Sequence, residues 1–167
     1  MPTQTTMHAR IDGPLVMVGF GSIGKGTLPL ILRHIDVARE RMTIIDPDDS
    51  ARAIAEFAGI RFEKVALHPE TLRDLLAPLL TPGSFLVNLS VGVSSVALME
   101  LCREVGALYL DTCIEPPPGG YTDPTKSISE RSNYAMRESA LALRRDGSDP
   151  TAVVALGANP GMVSHLV

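Results

Sequence analysis

The sequence predicts an α/β domain of the doubly wound, Rossmann type, with helices on both faces of a parallel sheet. Three observations support this. Apolar strand patterns alternate with helical patterns, a glycine-rich turn joins the first strand to the first helix, and 167 residues with 45% hydrophobic content suffice for one core. Strands that alternate with helices pair in parallel through right-handed crossovers. We expect a flexible N-terminus at 1–12 and the domain itself at 13–167.

Short apolar runs, bounded by glycine, proline or polar residues, predict the strands. The run 84–90 (SFLVNLS) has the apolar character of a strand buried on both faces. The predicted strands are 14–18, 42–46, 61–67, 84–90, 107–112 and 151–157.

Apolar residues at helical spacing, together with cap residues, predict the intervening helices. Pro69 suits the first position of a helix. Ser94 or Ser95 can cap a helix that Gly106 ends, and 127–130 (SISE) has the spacing of a capping box. The predicted helices are 22–35, 48–58, 69–80, 95–105, 127–145 and a last one that begins after 157.

The turn GFGSIG fits the G-x-G-x-x-G fingerprint of dinucleotide-binding domains. Gly19 permits the tight turn, Gly21 lets a pyrophosphate approach the backbone, and Gly24 lets helix and strand pack closely. The N–H groups from Ser22 to Gly24 would then face the phosphates at the positive end of the helix. The alternative is a glycine turn that binds nothing.

The same turn is nearly a Walker A loop, G-x-x-x-x-G-K, which would bind a nucleoside triphosphate. That loop needs Ser or Thr directly after the lysine, because this hydroxyl ligates magnesium. Here Gly26 follows Lys25, and Thr27 comes one residue late. One residue rotates a side chain by about 100° around a helix, so the sequence favours the dinucleotide motif.

Asp46 ends the second strand, about twenty residues after the last glycine of the motif. A carboxylate at this place can accept hydrogen bonds from both hydroxyls of the adenosine ribose. Asp48 and Asp49 follow, with no basic residue directly after the strand. Three carboxylates should repel a 2′-phosphate, so we predict NAD rather than NADP.

Polar residues also follow the later strands, at the sheet edge where ligands of such folds bind. Asn88 and Ser90 could bond the ribose or the nicotinamide amide, and capping of the next helix is the alternative. Thr112 ends the fifth strand and is a further candidate cofactor contact.

Glu115 and Asn159 are the candidate catalytic residues. Glu115 could hold a cationic amine or move a proton, and the alternative is a solvated loop acid. Asn159 suits orienting an amine or a carboxamide, and the alternative is an ordinary turn. His165 could be a base, although a lone histidine is more often structural.

Composition argues against several other classes of function. A formal net charge of −4 and the absence of a Lys/Arg block argue against a nucleic-acid partner. Cys102 and Cys113 lack metal-ligand spacing, so we expect reduced thiols and no metal. The uncharged segment 83–99 carries central polar residues unsuited to a membrane span. With no visible signal peptide, we expect a cytoplasmic protein without membrane contact.

The chain resembles homospermidine synthases of the bacterial type, which are relatives of the saccharopine dehydrogenases. The resemblance covers nearly the whole chain and rests on the motifs VGFGSIGKGTLPLILRH, TIID, VNLSVGVSS, YLDTCIEP, GGYTDP, ERSNYA and GANPGMVSHLV.

The resemblance implies an enzyme that holds NAD as a recycled prosthetic group. Putrescine, or a similar diamine, would be oxidised to an imine by hydride transfer, and ammonia would leave. A second diamine would then form a new imine, which the same NADH would reduce to homospermidine. Glu115 and Asn159 would border the diamine pocket. The implied cofactor contacts are Gly19, Gly21, Ser22, Ile23, Asp46, Asn88 and Ser90.

Two departures from the family pattern qualify this expectation. Pro117 and Pro118 stand where members carry an aromatic residue soon after IEP. Members also have a large second domain, through which any homodimer is expected to form. We therefore expect a fragment, cut at the start of the linking helix, that binds NAD with little or no activity alone.

Three other functions stay open at this point. One is a saccharopine-type amino-acid dehydrogenase domain, whose substrate carboxylate would want an arginine that the strand-end loops before Pro124 lack. Another is a stand-alone NAD-sensing module without chemistry. The third, a P-loop phosphotransferase, should show magnesium-dependent ATP binding.

Overall fold

The computed structural model describes residues 6–145 and 147–154. Its strands are β1 (Ala9–Ile11), β2 (Leu15–Val18), β3 (Ile35–Val37), β4 (Met42–Asp46), β5 (Arg61–Lys64), β6 (Phe85–Asn88), β7 (Leu108–Asp111) and β8 (Ala152–Val153). Its α-helices are α1 (Ser22–His34), α2 (Arg52–Phe57), α3 (Leu72–Leu76), α4 (Ser95–Val105) and α5 (Asn133–Leu141), and 3-10 turns occupy Arg39–Arg41 and Ala77–Leu79.

Six strands form a fully parallel sheet in the order β5-β4-β2-β6-β7-β8. The chain builds outward from β2 to β5 on one side, then returns and builds from β6 to β8 on the other. The direction of winding therefore switches between β2 and β6. Such a switch opens a crevice at the carboxyl ends of the strands, where ligands of these sheets bind. The predicted doubly wound fold is confirmed.

Apolar side chains fill both faces of the sheet, and β2 contributes to each. Leu15 and Met17 pack with residues of α1 and α2, whereas Val16 and Val18 pack with residues of α3, α4 and α5. This alternation follows from the two-residue period of a strand. Leu98 of α4 is completely buried beneath the second face. Burial of one such leucine contributes about 1.5–3 kcal/mol.

The segment 1–12, expected to be flexible, contains a strand that the sequence did not reveal. β1 pairs in parallel with β3, in the register Ala9–Ile35 to Ile11–Val37. Ile11 and Val37 pack against the core under α1 and α2, which explains why this short ribbon forms. Its strands of three residues are too short to show a sequence period.

Several helices are shorter than predicted. The predicted helices 48–58, 69–80 and 127–145 are observed as α2, as α3 followed by a 3-10 turn, and as α5. In the first case the Asp48 carboxylate accepts from the Ser50 amide at 2.9 Å, and this turn delays the helix to Arg52. The predicted strand 151–157 is described only as far as 154, and the helix after 157 lies outside the described residues.

Within the described residues, no helix has the length and apolar character needed to cross a membrane. The uncharged segment 83–99 divides into β6, a loop and the first turns of α4.

Candidate dinucleotide-binding site

The glycine turn between β2 and α1 is packed against the chain that leaves β6. Gly19 has a φ of +92°, and a Cβ there would lie 2.6 Å from the Ser90 nitrogen. A Cβ at Gly24 would lie 2.7 Å from the Gly19 carbonyl oxygen. Any side chain at either position would therefore force backbone apart, which agrees with the roles predicted for both glycines.

The start of α1 faces open space. Gly21 is the N-cap of the helix and provides no side-chain acceptor for the amides of the first turn, which has no acidic residue. A Cβ at Gly21 would meet nothing within 4 Å, and Ser22 and Ile23 are exposed. Exposed amides at a helix start, with room above them, suit a pyrophosphate. The structure therefore brings Gly21, Ser22 and Ile23 together on one exposed surface at the start of α1.

Asp46 is joined directly to the glycine turn. Its Oδ2 accepts from the Phe20 amide at 2.5 Å, and its Oδ1 accepts from the Asp48 amide at 2.8 Å. A carboxylate has about four lone-pair positions, so these bonds leave capacity for ribose hydroxyls. Asp46 is half-buried at the carboxyl end of β4, beside the turn that would hold the pyrophosphate.

The acidic loop after Asp46 carries two further carboxylates whose pKa values are lowered. Hydrogen bonds from Ser50 lower the pKa of Asp48, and the nearby Lys64 and Lys25 charges add to this lowering. Lys64, whose Nζ lies 3.0 Å from Asp49 Oδ2, lowers the pKa of Asp49. Both groups therefore stay ionised at neutral pH. The sequence did not indicate these lysine contacts, because Lys64 reaches the loop from β5.

Asn88 and Ser90 are bonded to each other at the end of β6. Asn88 Oδ1 accepts from the Ser90 amide at 3.2 Å and from Ser90 Oγ at 2.6 Å. Asn88 is 1% exposed, whereas Ser90 is half-buried beside Gly19. Capping of α4 falls to a different residue, because Ser94 Oγ accepts from the Ala97 amide. Ser90 is therefore the member of the pair that borders the crevice.

Glu115 is buried, which argues against a solvated loop acid. It is 7% exposed, its amide donates to Ser95 Oγ at 2.9 Å, and its carbonyl accepts from the Ser95 amide at 2.9 Å. Its Oε2 accepts from the Gly92 amide at 3.3 Å. The first residue of α4 thus fixes the backbone of this loop, so the carboxylate lies near the end of β6. Thr112 is half-buried directly after β7.

A thiol and a phenol lie near Glu115, and the sequence did not single them out for the site. Burial raises the pKa of Cys113, and the neighbouring Glu115 carboxylate raises it further. Burial also raises the pKa of Tyr121 to about 12, with Glu115 again contributing. The Tyr121 hydroxyl donates to the Ile114 carbonyl at 3.5 Å. The Glu115 carboxylate is therefore accompanied by a thiol and a phenol whose pKa values are both raised.

The structure does not describe every candidate residue. Asn159 and His165 lie outside the described residues. The described ranges contain no group of three or more His, Cys, Asp or Glu that could hold a metal ion.

A cavity of about 470 Å³ between α4, α5 and β8 is separate from the glycine turn, with Met99, Arg103 and Leu143 in its lining.

Comparison with known families identifies this arrangement. Residues 15–154 match the saccharopine dehydrogenase NADP binding domain. The chain belongs to this family. Family membership supports a dinucleotide cofactor over the nucleoside triphosphate of a Walker A loop, because the matched domain is an NADP-binding domain.

The proteins that are similar in sequence to this chain include two homospermidine synthases. The protein of Blastochloris viridis is 54% identical over 169 residues, covering 99% of this chain and 35% of that protein. The protein of Mesorhizobium japonicum is 47% identical over 165 residues, covering 96% of this chain and 34% of that protein. The chain therefore spans about a third of the length of these relatives.

A solved structure shares the fold. The crystal structure of homospermidine synthase from Legionella pneumophila in complex with NAD aligns with a TM-score of 0.78 and 33% identity. The alignment covers 93% of this chain and 32% of the Legionella chain. The predicted resemblance to homospermidine synthases of the saccharopine dehydrogenase group is confirmed.

Proposed function

We propose that this chain is the NAD-binding part of an enzyme of the homospermidine synthase type. The observation that carries the proposal is the bond between Asp46 and the glycine turn. This bond holds the Asp46 carboxylate next to the exposed start of α1, and it supports a ribose contact at Asp46 beside a pyrophosphate at the turn. The NAD in the Legionella relative supports this assignment.

NAD is proposed rather than NADP, although the family description names NADP. Asp46, Asp48 and Asp49 lie together at the end of β4, and Lys64 is already paired with Asp49. A 2′-phosphate at the ribose would meet these three carboxylates, and the nearby Lys25 charge does not offset them. Like charges at such distances are repulsive, so NAD should bind more tightly.

The proposed reaction converts two putrescine molecules into homospermidine and ammonia. When bound, NAD would supply the hydride chemistry, in which a hydride taken from the amine-bearing carbon is returned in the final reduction and NAD is not consumed. Glu115 would hold a cationic amino group beside the reacting carbon, because its carboxylate is buried near the end of β6. Asn159 would orient the same group. A similar diamine could replace putrescine.

The chain alone is proposed to bind NAD with little or no turnover. It spans about a third of the length of its homospermidine synthase relatives, so two thirds of their length has no counterpart in the aligned part. Steady formation of homospermidine from putrescine and NAD, at the 1–1000 s⁻¹ typical of enzymes, would contradict this part of the proposal.

A matched pair of glycine substitutions tests NAD binding. Gly21→Ala adds a methyl group where nothing lies within 4 Å, in the space proposed for the pyrophosphate. Gly26→Ala adds the same group in the same helix, again with nothing within 4 Å, but beyond the first turn. Calorimetric titration should show NAD affinity lost by about tenfold or more in Gly21→Ala and unchanged in Gly26→Ala. Equal NAD affinity in the two variants would reject the site.

A further inference from the structure

A buried hydrogen-bonded chain links β7 to β6 beneath α4. The register pairs Asn88 with Asp111, and strand alternation puts Tyr109 on the same face as Asp111. The Tyr109 hydroxyl accepts from Asn88 Nδ2 at 3.3 Å and donates to Asp111 Oδ2 at 3.0 Å. Tyr109 and Asn88 are each 1% exposed and Asp111 is 4% exposed. A buried polar group without a partner costs free energy, so such a chain is held firmly.

The chain ends at the crevice, on Ser90. Asn88 Oδ1 accepts from both the amide and the hydroxyl of Ser90. The Ser90 nitrogen in turn lies where a Cβ of Gly19 would be only 2.6 Å away. The buried groups therefore connect to the backbone that packs against the glycine turn.

Ser90 and Asp111 together set the directions of the bonds in this chain. The Ser90 amide can only donate, so the oxygen of Asn88 faces Ser90 and its NH₂ faces Tyr109. The Tyr109 hydroxyl donates its proton to Asp111 Oδ2 and so offers Asn88 a lone pair, which holds Asn88 in this orientation. That oxygen takes the proton of the Ser90 hydroxyl. Ser90 is left with lone pairs alone towards the crevice, and acts there as an acceptor.

The protonation of Tyr109 is secure. Burial raises the pKa of Tyr109, and the charge of Asp111 raises it further. The phenol therefore remains a donor across the pH range in which proteins are stable.

We propose that Tyr109 and Asp111 are positioning residues that make Ser90 a hydrogen-bond acceptor for the nicotinamide half of NAD. The inference rests on the proposed NAD binding. Adenosine belongs with Asp46 on β4 and the pyrophosphate with the turn after β2, so the other half of the cofactor extends over β6. Its ribose hydroxyls and carboxamide NH₂ are donors that match a serine acceptor.

Removal of one hydroxyl group tests the proposal. Tyr109→Phe keeps the ring but releases Asn88, whereas Tyr134→Phe makes the same change at an exposed tyrosine of α5. Calorimetry should show the Kd for NAD raised about five- to tenfold in Tyr109→Phe, with the Kd for ADP changed less than about twofold. ADP lacks the nicotinamide half, so loss of general stability cannot produce this selectivity. Tyr134→Phe should match the parent chain for both ligands.

Ser90→Ala keeps the test valid if Tyr109→Phe does not fold, because it changes only a half-buried side chain. Ser90→Ala should also weaken the binding of NAD and leave the binding of ADP unchanged. Where both variants fold, the double variant should lose little more than either single one, because both act on the same acceptor. An equal loss of affinity for NAD and for ADP, or an unchanged affinity for NAD in Ser90→Ala, would overturn the inference. A parent chain that binds neither ligand would instead overturn the proposed function.

Discussion

The amide of Phe20 donates to the carboxylate of Asp46 at 2.5 Å, and this bond ties the glycine turn after β2 to the end of β4. One carboxylate thus supports the turn and presents its remaining lone pairs to the crevice. Adjacent parallel strands make this possible, because Val18 pairs with Ile45 and the residues after them emerge at the same edge. Cofactor affinity and the local shape of the turn should therefore depend on the same side chain.

Asp46→Asn should weaken NAD binding and narrow the preference over NADP. The Asn amide keeps one acceptor for Phe20, but it loses the bond from the Asp48 amide and the charge that binds the ribose diol and repels a 2′-phosphate. We expect the Kd for NAD to rise by about tenfold, with a smaller change for NADP. Asp36→Asn, an exposed acid on β3, is the control and should change neither value. A variant that kept its full preference for NAD would contradict the role of Asp46.

Gly19→Ala should destabilise the chain even without NAD. Its φ of +92° is costly for a residue with a side chain, and the methyl group would meet Ser90 and Leu89 backbone atoms at 2.6–2.8 Å. These neighbouring atoms belong to the main chain and cannot rotate away. We therefore expect the free energy of unfolding to fall by about 2 kcal/mol or more. Urea denaturation without ligand measures it, with Gly26→Ala as the control. An unchanged denaturation midpoint would show that the turn relaxes.

The elements of the sheet could be predicted because their signals are local. The strand 42–46 matches β4 residue for residue, and Gly106 ends α4 with a φ of +78°, as its position after the apolar spacing suggested. Helix starts were less predictable, since Asp48 forms a turn with Ser50 where a helix was expected. Competition between a side-chain bond and a helical turn is decided by fine energy differences that a pattern does not show.

Burial at the site could not be predicted in the same way. Glu115 follows β7 in a proline-rich loop without periodicity, so its sequence allowed either a solvated or a buried acid. The structure buries it because Ser95, twenty residues earlier, bonds its backbone at both the amide and the carbonyl. Likewise Asn88 turns inward because Tyr109 offers a partner. Contacts between distant segments decide these cases, and no local spacing encodes them.

Ser132→Ala should cost more stability than Ser127→Ala. The box at 127–130 does form, with the Ser127 amide and hydroxyl both bonded to Glu130, but it closes an exposed turn. Ser132 is the actual N-cap of α5 and accepts from the Ala135 amide. We expect a loss of about 1 kcal/mol for Ser132→Ala and less than about 0.5 kcal/mol for Ser127→Ala by urea denaturation. A larger loss for Ser127→Ala would mean that helical order begins earlier than described.

The charge of Glu115 should control the reactivity of the Cys113 thiol. Burial raises the pKa of Cys113 from an ordinary value of 9.0, and Glu115 adds to the shift. Only the thiolate reacts with iodoacetamide, so labelling should be slow at pH 8 and quicken as pH rises towards this elevated pKa. Glu115→Gln removes the negative charge, lowers the pKa of Cys113 and should speed labelling at pH 8 by about three- to tenfold.

Peptide mapping separates this site from Cys102, whose pKa burial raises to about 12 and which should stay unlabelled in both chains. Glu70→Gln, an exposed acid before α3, should leave the rate unchanged. If Glu115→Gln left the pH profile of Cys113 where it was, the Glu115 carboxylate would not face the thiol.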